Sequence, residues 1–338
     1  MDNSYSAYVI SLEQPTTLLN SINDMGIKPN LVVGVNGKTL DDETIKKNTT
    51  YFGRYFATKS TIGIAMAHIK AWKTFLKSGE KYGLIFEDDV VFEDNFKERL
   101  DNILNNTPKD FDILYLGCIG CNAPINLSSI ILSNTGVLNL NTYKNNDKNN
   151  DYVNKSLLSL GLHGYILSRK GAKKLVQCIE GEIYTHIDFH IQTLSANNLI
   201  NSYTLNDLIV YQTSTDETQS SNVSNTHPLL LNNILSNYYI EKKVKASYMS
   251  SLSLIRINNI NLNACSILFI IIGIVLGSTN LDFFTVTALY ILLSIPDLYI
   301  NLNNNMIKIH YLLLILPFLG VKLYMENAGI QPNEQRYV

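Results

Sequence analysis

Residues 83–92 place three consecutive carboxylates, Glu87, Asp88 and Asp89, directly after an apolar stretch of β-forming residues. Adjacent carboxylates repel one another, so the position of three of them at the end of a buried strand requires a physical explanation. Side chains on an extended backbone alternate in direction, so Glu87 and Asp89 point the same way and can share one divalent cation. Hard carboxylate oxygens suit Mg²⁺ or Mn²⁺, which in turn suit nucleotide phosphates. The alternative is an acidic turn before a solvated helix, because the acidity continues to Glu98.

Size, charge and cysteine content narrow the function classes. The chain has 338 residues, enough for one large α/β domain and a smaller part. Its formal net charge of −2 argues against binding of nucleic acid through an extended positively charged surface. Cys118 and Cys121 form a CxxC, but without a second pair this spacing favours two small residues after a strand over a zinc site.

The first 240 residues alternate between strand-like and helix-like segments. Apolar residues at helical spacing predict a helix over 61–76, capped by Ser60 or Thr61. Strands are predicted over 7–12, 31–35, 82–86, 111–116, 164–167 and 208–212, and further helices over 16–25, 95–104, 172–179 and 186–196. This alternation predicts an α/β fold, a mostly parallel sheet with helices on both faces. Ligands of such sheets bind beyond the carboxyl ends of the strands, where the acidic run lies.

Three apolar stretches follow, at residues 264–278, 283–295 and 309–324. A helix of about 15 residues rises only about 22 Å, short of the roughly 30 Å hydrocarbon core, so each stretch alone is a marginal span. Together they favour membrane insertion, as short spans or a re-entrant hairpin, over a small buried helical bundle. The expected fold is therefore α/β, followed by an apolar helical membrane region.

Basic residues before the first apolar stretch predict its orientation. They are Lys242, Lys243, Lys245 and Arg256. They place the N-terminal domain on the cytosolic side of the membrane. No signal peptide is predicted, because residues 1–7 are polar and the apolar run 8–12 is too short. The expected organisation is a globular domain over 1–240, a basic and polar linker over 241–262, a membrane-associated region over 263–325 and a polar tail over 326–338.

Several segments carry a family resemblance in order along the chain. They are 63–72 (GIAMAHIKAW), 84–89 (LIFEDD), 111–117 (FDILYLG), 163–175 (HGYILSRKGAKKL) and 186–188 (HID). In this order they resemble glycosyltransferase family 25, the group of lipopolysaccharide galactosyltransferases and collagen galactosyltransferases. The resemblance covers about residues 5–225 and leaves the apolar tail unaccounted for. It implies a GT-A-like, Rossmann-type fold and transfer of galactose or glucose from a UDP-sugar to a glycan or protein hydroxyl, with inversion.

The resemblance also implies roles for the acidic run. Glu87, Asp88 and Asp89 would be the metal-binding D-x-D of the family and would bind the UDP-sugar donor together with Mn²⁺ or Mg²⁺. Such a metal bridges the diphosphate and neutralises charge that develops on the leaving UDP. Asp89 is the expected direct ligand, and Glu87 reaches the metal through water or holds the ribose.

Histidines late in the chain are candidates for a further metal ligand. His227 is preferred, because metal-dependent GT-A enzymes commonly recruit a late histidine, and His186 and His190 are the alternatives. His68 matches a family position as well. Its two interpretations are a satisfied core histidine and a residue that orients the acidic run.

Inversion needs a base that deprotonates the acceptor hydroxyl as it attacks. Asp188 matches the late acidic position of the family and is the catalytic candidate. The alternative is a carboxylate at a helix N-terminus that interacts with backbone N–H groups. Tyr165 and Trp72 can stack on sugar or uracil, with aromatic core packing as the alternative.

Three departures from the family pattern bear on activity. No arginine follows the first strand before Arg54, Thr61 stands where glutamate is usual, and Ala67 stands where serine is usual. They leave open a second class, a membrane-anchored protein that keeps the fold and binds without catalysis. A third class, a metal-dependent phosphohydrolase, needs a nucleophilic aspartate or a second acidic cluster, and the sequence pattern shows neither.

Overall fold

The computed structural model describes residues 4–121, 152–156, 158–213, 228–241, 244–258, 260–300 and 305–329. Contacts divide the chain into two compact units, residues 1–215 and 216–338. The first unit contains every segment that carries the family resemblance, and the second contains the three apolar stretches.

The first unit alternates strands and helices as predicted. Its strands are β1 Tyr5–Ser11, β2 Pro29–Val33, β3 Tyr82–Glu87, β4 Val90–Phe92, β5 Ile113–Ile119, β6 Val153–Lys155, β7 Leu160–Ser168, β8 Ser202–Leu205 and β9 Val210–Gln212. Its helices are α1 Thr16–Asp24, α2 Asp42–Asn48, α3 Tyr51–Phe56, α4 Lys59–Lys77, α5 Phe96–Asn106, α6 Arg169–Ile179 and α7 Ile187–Ala196, with a 3-10 turn at Gly37–Thr39. Each predicted strand and helix has a counterpart here, shifted by a few residues at most of its ends.

Seven strands form the central sheet, in the order β2-β1-β3-β7-β5-β8-β6. β1 runs parallel to β2 and β3, and β5 runs parallel to β8. β7 runs antiparallel to both β3 and β5, and β6 runs antiparallel to β8. The sheet is therefore mixed, rather than mostly parallel as predicted. Strand direction depends on how the connections run, and the local apolar pattern of β7 does not distinguish a parallel from an antiparallel neighbour.

Helices cover both faces of this sheet, as predicted. Ile85 belongs to one core together with Trp72 of α4. Leu84 and Phe86 belong to the other core, together with Leu100 of α5. This alternation along β3 is the period of two expected for a strand that is buried on both faces. Cys118 and Cys121, at the end of β5, are joined in a disulfide bond.

Helix α4 carries one buried face toward the sheet. It begins at Lys59, because the Thr58 hydroxyl accepts the Thr61 N–H over 3.1 Å. The cap is therefore Thr58 and not Ser60 or Thr61. His68 and Trp72 both lie on the buried face, and a spacing of four residues brings them next to each other on the helix.

The second unit contains short hairpins and long apolar helices. Its elements are α8 Leu229–Leu235, β10 Tyr239–Glu241, β11 Val244–Lys245, α9 Ala246–Ser251, β12 Ser253–Ile257, β13 Ile260–Asn263, α10 Ala264–Gly277, α11 Phe283–Ile300 and α12 Asn305–Asn327. β10 pairs antiparallel with β11, and β12 pairs antiparallel with β13. The stretch predicted as a linker thus contains ordered elements, and the domain limits drawn from the sequence stay a prediction.

The three apolar stretches correspond to α10, α11 and α12. One helix in the described part of the chain, Ile307–Asn327, has the length and composition of a membrane span. Ala264–Gly277 and Phe283–Tyr299 are shorter apolar helices. A single helix of this kind is limited support for membrane association, and the cytosolic orientation stays a prediction.

Candidate active site

The three carboxylates lie where β3 ends and a tight turn begins. Glu87 is the last residue of β3, Asp88 and Asp89 form the turn, and β4 starts at Val90. β4 then pairs antiparallel with β9, and Val90 lies opposite Gln212. The backbone leaves the strand at Asp88. Side chains alternate in direction only along a continuous extended segment, so the directions of the Glu87 and Asp89 side chains do not follow from that alternation. Each carboxylate instead contacts a different element.

Glu87 faces helix α4. Nε2 of His68 lies 3.3 Å from Oε1 of Glu87, and Nδ1 of His68 lies 2.8 Å from the Tyr165 hydroxyl on β7. The indole N–H of Trp72 donates to the same hydroxyl over 2.8 Å. The sequence interpretation of Tyr165 and Trp72 as stacking or packing residues missed these hydrogen bonds. His68 is buried and both of its ring nitrogens have partners, as expected for a satisfied core histidine, and one of those partners belongs to the acidic run.

Asp88 and Asp89 are held from two other directions. The Ser11 hydroxyl, at the end of β1, donates to Oδ2 of Asp88 over 2.5 Å. Gln212, at the end of β9, donates from Nε2 to Oδ2 of Asp89 over 2.7 Å. The N–H and the hydroxyl of Thr213 donate to the backbone carbonyl of Asp89 over 2.8 and 2.9 Å. Neither Ser11 nor Gln212 is among the residues predicted for the site, although Gln212 ends the strand predicted over 208–212 and Ser11 is the second-last residue of the strand predicted over 7–12.

Charge is concentrated at this turn. Burial raises the pKa of Glu87 above its ordinary value, the His68 hydrogen bond opposes this rise, and the charges of Asp89 and Asp88 add to it. A nearby cation would favour the ionised carboxylates and reverse this balance. The turn therefore has the electrostatic character of a cation site.

The donor set decides which kind of cation site is possible. Within the described residues, no group of three or more His, Cys, Asp or Glu side chains is placed to hold a metal ion by itself. Mg²⁺ at phosphate sites usually takes only one or two carboxylates from the protein, and phosphates and waters complete its shell. Glu87 and Asp89 are thus chemically compatible with a cation that a diphosphate shares.

Asp188 lies in the first turn of α7. Its Oδ2 accepts the Gly161 N–H over 3.1 Å, and its Oδ1 accepts the Phe189 N–H over 2.8 Å. These are the backbone contacts of the alternative interpretation, and they leave further lone pairs on the carboxylate. Burial and the negative charge of Asp188 together raise the pKa of Tyr115 on β5. Its role as a base stays a prediction.

His186 and His190 contact residues other than the three carboxylates of the turn. Nε2 of His186 lies 3.3 Å from the Thr61 hydroxyl, which links the starts of α7 and α4. His190 packs against Tyr184 with ring centroids 4.5 Å apart, and burial lowers its pKa to about 4. Neither histidine belongs to a three-residue metal cluster among the described residues. His227, the preferred third ligand, lies outside the described residues.

A known protein family matches this sequence over most of the first unit. The sequence profile described as "Glycosyltransferase family 25 (LPS biosynthesis protein)" matches residues 5–191, more than half of the chain. The chain belongs to glycosyltransferase family 25. The resemblance drawn from segments 63–72, 84–89, 111–117, 163–175 and 186–188 is thereby confirmed.

Curated members of family 25 are similar over shorter stretches. Inactive glycosyltransferase 25 family member 3 of Mus musculus is 29% identical over an alignment of 126 residues, and the match covers 32% of this chain and 21% of that protein. Procollagen galactosyltransferase 1-A of Xenopus laevis is 29% identical over an alignment of 168 residues, which covers 46% of this chain and 24% of that protein. Procollagen galactosyltransferase 1 of Danio rerio is 27% identical over an alignment of 112 residues, which covers 30% of this chain and 18% of that protein. The chain thus spans about a quarter or less of the length of these relatives.

Proposed function

We propose that this family 25 member transfers a hexose, galactose or glucose, from a UDP-sugar to a hydroxyl of a glycan or protein, with inversion and with Mn²⁺ or Mg²⁺. The observation that carries the proposal is the turn at Glu87, Asp88 and Asp89. Three separate elements, α4, β1 and β9, hold its three carboxylates. A turn that is fixed from three directions is pre-organised for a charged ligand.

In this proposal the residues of the turn share the work of donor binding. Asp89 is the direct ligand of the cation, and Glu87 contacts it through water or holds the ribose. When bound, the cation neutralises the charge of the diphosphate as UDP leaves. Gln212 and Thr213 fix the position of Asp89, and Ser11 fixes that of Asp88. Their contacts limit the reorganisation that the turn would need when a donor binds.

Asp188 is the proposed base. Its carboxylate accepts two backbone N–H groups, and each of its oxygens keeps a lone pair that can accept the proton of an acceptor hydroxyl. Those backbone contacts hold the carboxylate at the start of α7, so it does not need to reorient as the acceptor attacks.

A second candidate function is binding without catalysis. Two observations favour it: a relative is named as inactive, and Thr61 stands where the family usually has glutamate. The Thr61 hydroxyl contacts Thr58 and His186, so it stabilises the start of α4 instead of presenting a charge. This candidate predicts binding of UDP-sugar without turnover.

A membrane location is part of the proposal. The apolar helix Ile307–Asn327 supports it, and the basic residues before α10 favour a cytosolic first unit. An enzyme held in this way would act on acceptors close to the membrane surface.

The test uses the full-length chain with a panel of UDP-sugars, scored for Mn²⁺-dependent hydrolysis and transfer. Asp89→Ala is expected to lower turnover roughly 100-fold or more, because a catalytic metal contributes several kcal/mol and about 1.4 kcal/mol is tenfold in rate. The matched control is Asp94→Ala, which removes an exposed carboxylate just beyond the turn and should leave turnover near that of the wild type.

The outcomes separate the two candidates. Turnover that Asp89→Ala abolishes and Asp94→Ala preserves supports hexosyl transfer. Binding of UDP-sugar by the wild type without any turnover favours the inactive binding protein. Full activity of Asp89→Ala would contradict the central assignment.

A further inference from the structure

A continuous chain of hydrogen bonds leads through the core of the first unit to Glu87. It passes from the Trp72 N–H to the Tyr165 hydroxyl, then to Nδ1 of His68, and from Nε2 of His68 to Glu87. Trp72 and Tyr165 are fully buried and His68 is 1% exposed, whereas the Glu87 side chain is 27% exposed. This series of hydrogen bonds therefore connects the solvent-excluded core to the solvent-accessible turn.

The chemistry of Trp72 fixes the direction of each hydrogen bond. An indole N–H can only donate, so the Tyr165 oxygen accepts from it. The Tyr165 hydrogen is then directed at Nδ1 of His68, which accepts it. A neutral imidazole that accepts at Nδ1 carries its proton on Nε2, and this N–H is directed at Glu87. In the opposite tautomer Nδ1–H would donate to the Tyr165 oxygen, which would leave the buried Tyr165 hydrogen without an acceptor among the described residues. It would also turn a ring lone pair toward a carboxylate.

The fold brings together β3, β7 and α4, the three elements that carry these hydrogen-bonded residues. In the β3–β7 pairing Tyr165 lies opposite Ile85, two residues before Glu87 on the same face. His68 and Trp72 lie one helical turn apart on α4. Burial raises the pKa of Tyr165 well above its ordinary value, so its hydroxyl keeps the hydrogen that it donates.

Core packing alone does not account for the polar groups of Trp72, Tyr165 and His68. Buried polar groups cost free energy unless each is hydrogen-bonded, and an apolar set of similar volume would fill the same space without that requirement. What the polar set adds is one N–H donor aimed at one oxygen of Glu87. Outer partners of metal-ligating groups act in this way, because they hold the ligand in one orientation.

We infer that Tyr165 and Trp72 are positioning residues, which fix the Nε2–H tautomer of His68 and through it hold Glu87 in place at the turn. The inference rests on the proposed function, in which Glu87 contacts the cation and the donor. Neither Tyr165 nor Trp72 touches the donor in this arrangement. Their effect passes through His68.

The experiment measures the tautomer of His68 directly. The full-length chain is labelled with ring-¹⁵N histidine, and His68 is assigned by the signal lost in His68→Gln. The wild type is expected to show His68 in the Nε2–H form without any added metal. Tyr165→Phe removes the donor to Nδ1 and should give a mixture of tautomers. In the same variant the Kd for Mn²⁺ should rise about tenfold or more, the usual effect of losing an outer partner.

The matched control is Tyr115→Phe. Tyr115 is also fully buried, its ring centroid lies 6.5 Å from that of Tyr165, and its hydroxyl has no hydrogen-bond partner in the described part of the chain. This variant should leave the His68 tautomer and the Mn²⁺ affinity unchanged. The His68→Gln background is a second control, because its amide can donate to Glu87 without contact to Tyr165. Adding Tyr165→Phe there should not weaken Mn²⁺ binding further.

Each outcome decides a separate point. A folded Tyr165→Phe that keeps the pure Nε2–H tautomer would overturn the inference. So would an unchanged Mn²⁺ affinity in a Tyr165→Phe variant whose tautomer has become mixed. If the tautomers behave as expected but the wild type does not bind Mn²⁺, the fixing of His68 is supported and the metal in the proposed function fails.

Discussion

Three adjacent carboxylates are tolerated at the β3–β4 turn because each has its own hydrogen-bond donor. His68 faces Glu87, Ser11 faces Asp88, and Gln212 faces Asp89. Hydrogen bonds to an ionised carboxylate favour its charged form, and they partly offset the mutual repulsion of the run. Burial is the main reason that the pKa of Glu87 is raised, and the charges of Asp89 and Asp88 add to that rise. A cationic ligand at the turn, as proposed above, would favour the ionised carboxylates and offset the remaining repulsion.

His163 gives a pH-dependent stability that can be measured apart from function. It is buried on β7, its Nδ1 has no hydrogen-bond partner among the described residues, and burial lowers its pKa from 6.5 to about 4. The unfolded chain takes up a proton below about pH 6.5, whereas the folded chain does not until about pH 4. Stability from the neutral ring is therefore fully present above pH 6.5 and is lost as the pH falls toward 4.

Replacing this histidine should remove that loss. Between pH 7 and pH 5 the wild type should lose about 2 kcal/mol more unfolding free energy than His163→Leu, because each unit of pKa difference is worth about 1.4 kcal/mol. Fluorescence of Trp72, the only tryptophan of the chain, follows urea unfolding of the first unit. Ile166→Val, buried on the same strand, is the control and should lower stability equally at both pH values. Equal losses in wild type and His163→Leu would contradict the assignment.

Elements with strong periodicity are predictable from this sequence, and their caps and directions are not. The helix predicted over 61–76 is Lys59–Lys77 in the structure, because its apolar residues recur along one face. The N-cap of this helix is Thr58 and not the predicted Ser60 or Thr61. All three residue types can cap a helix, and the backbone conformation selects among them. The antiparallel direction of β7 escaped prediction for a related reason. It depends on a connection whose sequence carries little structural signal.

Close packing of α10 on α12 predicts an asymmetry between two glycines. A Cβ at Gly273 would lie 2.2 Å from the Leu314 carbonyl oxygen, whereas a Cβ at Gly320 would meet nothing within 4 Å. Small residues allow apolar helices to approach this closely. Gly273→Ala should destabilise the second unit by about 1–3 kcal/mol, the usual cost of overpacking. Gly320→Ala should be neutral or stabilise by up to about 1 kcal/mol, because alanine favours helix.

The comparison is made on the full-length chain in one detergent, with helix content followed during heating. A lower midpoint for Gly273→Ala, together with an unchanged or higher midpoint for Gly320→Ala, is the expected pair of results. Equal midpoints for the two variants would show that α10 and α12 do not pack through Gly273.

At the scale of the whole molecule, the candidate site is assembled from parts far apart in sequence. The carboxylates were predictable, because they are adjacent in the chain and follow a recognisable buried strand. Their partners were not, because Ser11 lies 77 residues from Asp88 and Gln212 lies 123 residues from Asp89. Such contacts follow only from the pairing of β1 with β3 and of β4 with β9 in the folded chain. The apolar stretches were located correctly for the opposite reason, since composition alone marks them.

The placement of the first unit relative to a membrane leads to a prediction of its own. Basic residues bias the segment that precedes a membrane span toward the cytosol. In sealed microsomes the first unit of the full-length chain should therefore stay accessible to added protease.

Replacing the four basic residues before α10, Lys242, Lys243, Lys245 and Arg256, by Gln should reduce this accessibility. Replacing the four lysines Lys28, Lys38, Lys46 and Lys47, all in the first unit, should not change it, because they lie far from α10 in the sequence. Protection of the wild-type first unit would contradict the cytosolic orientation.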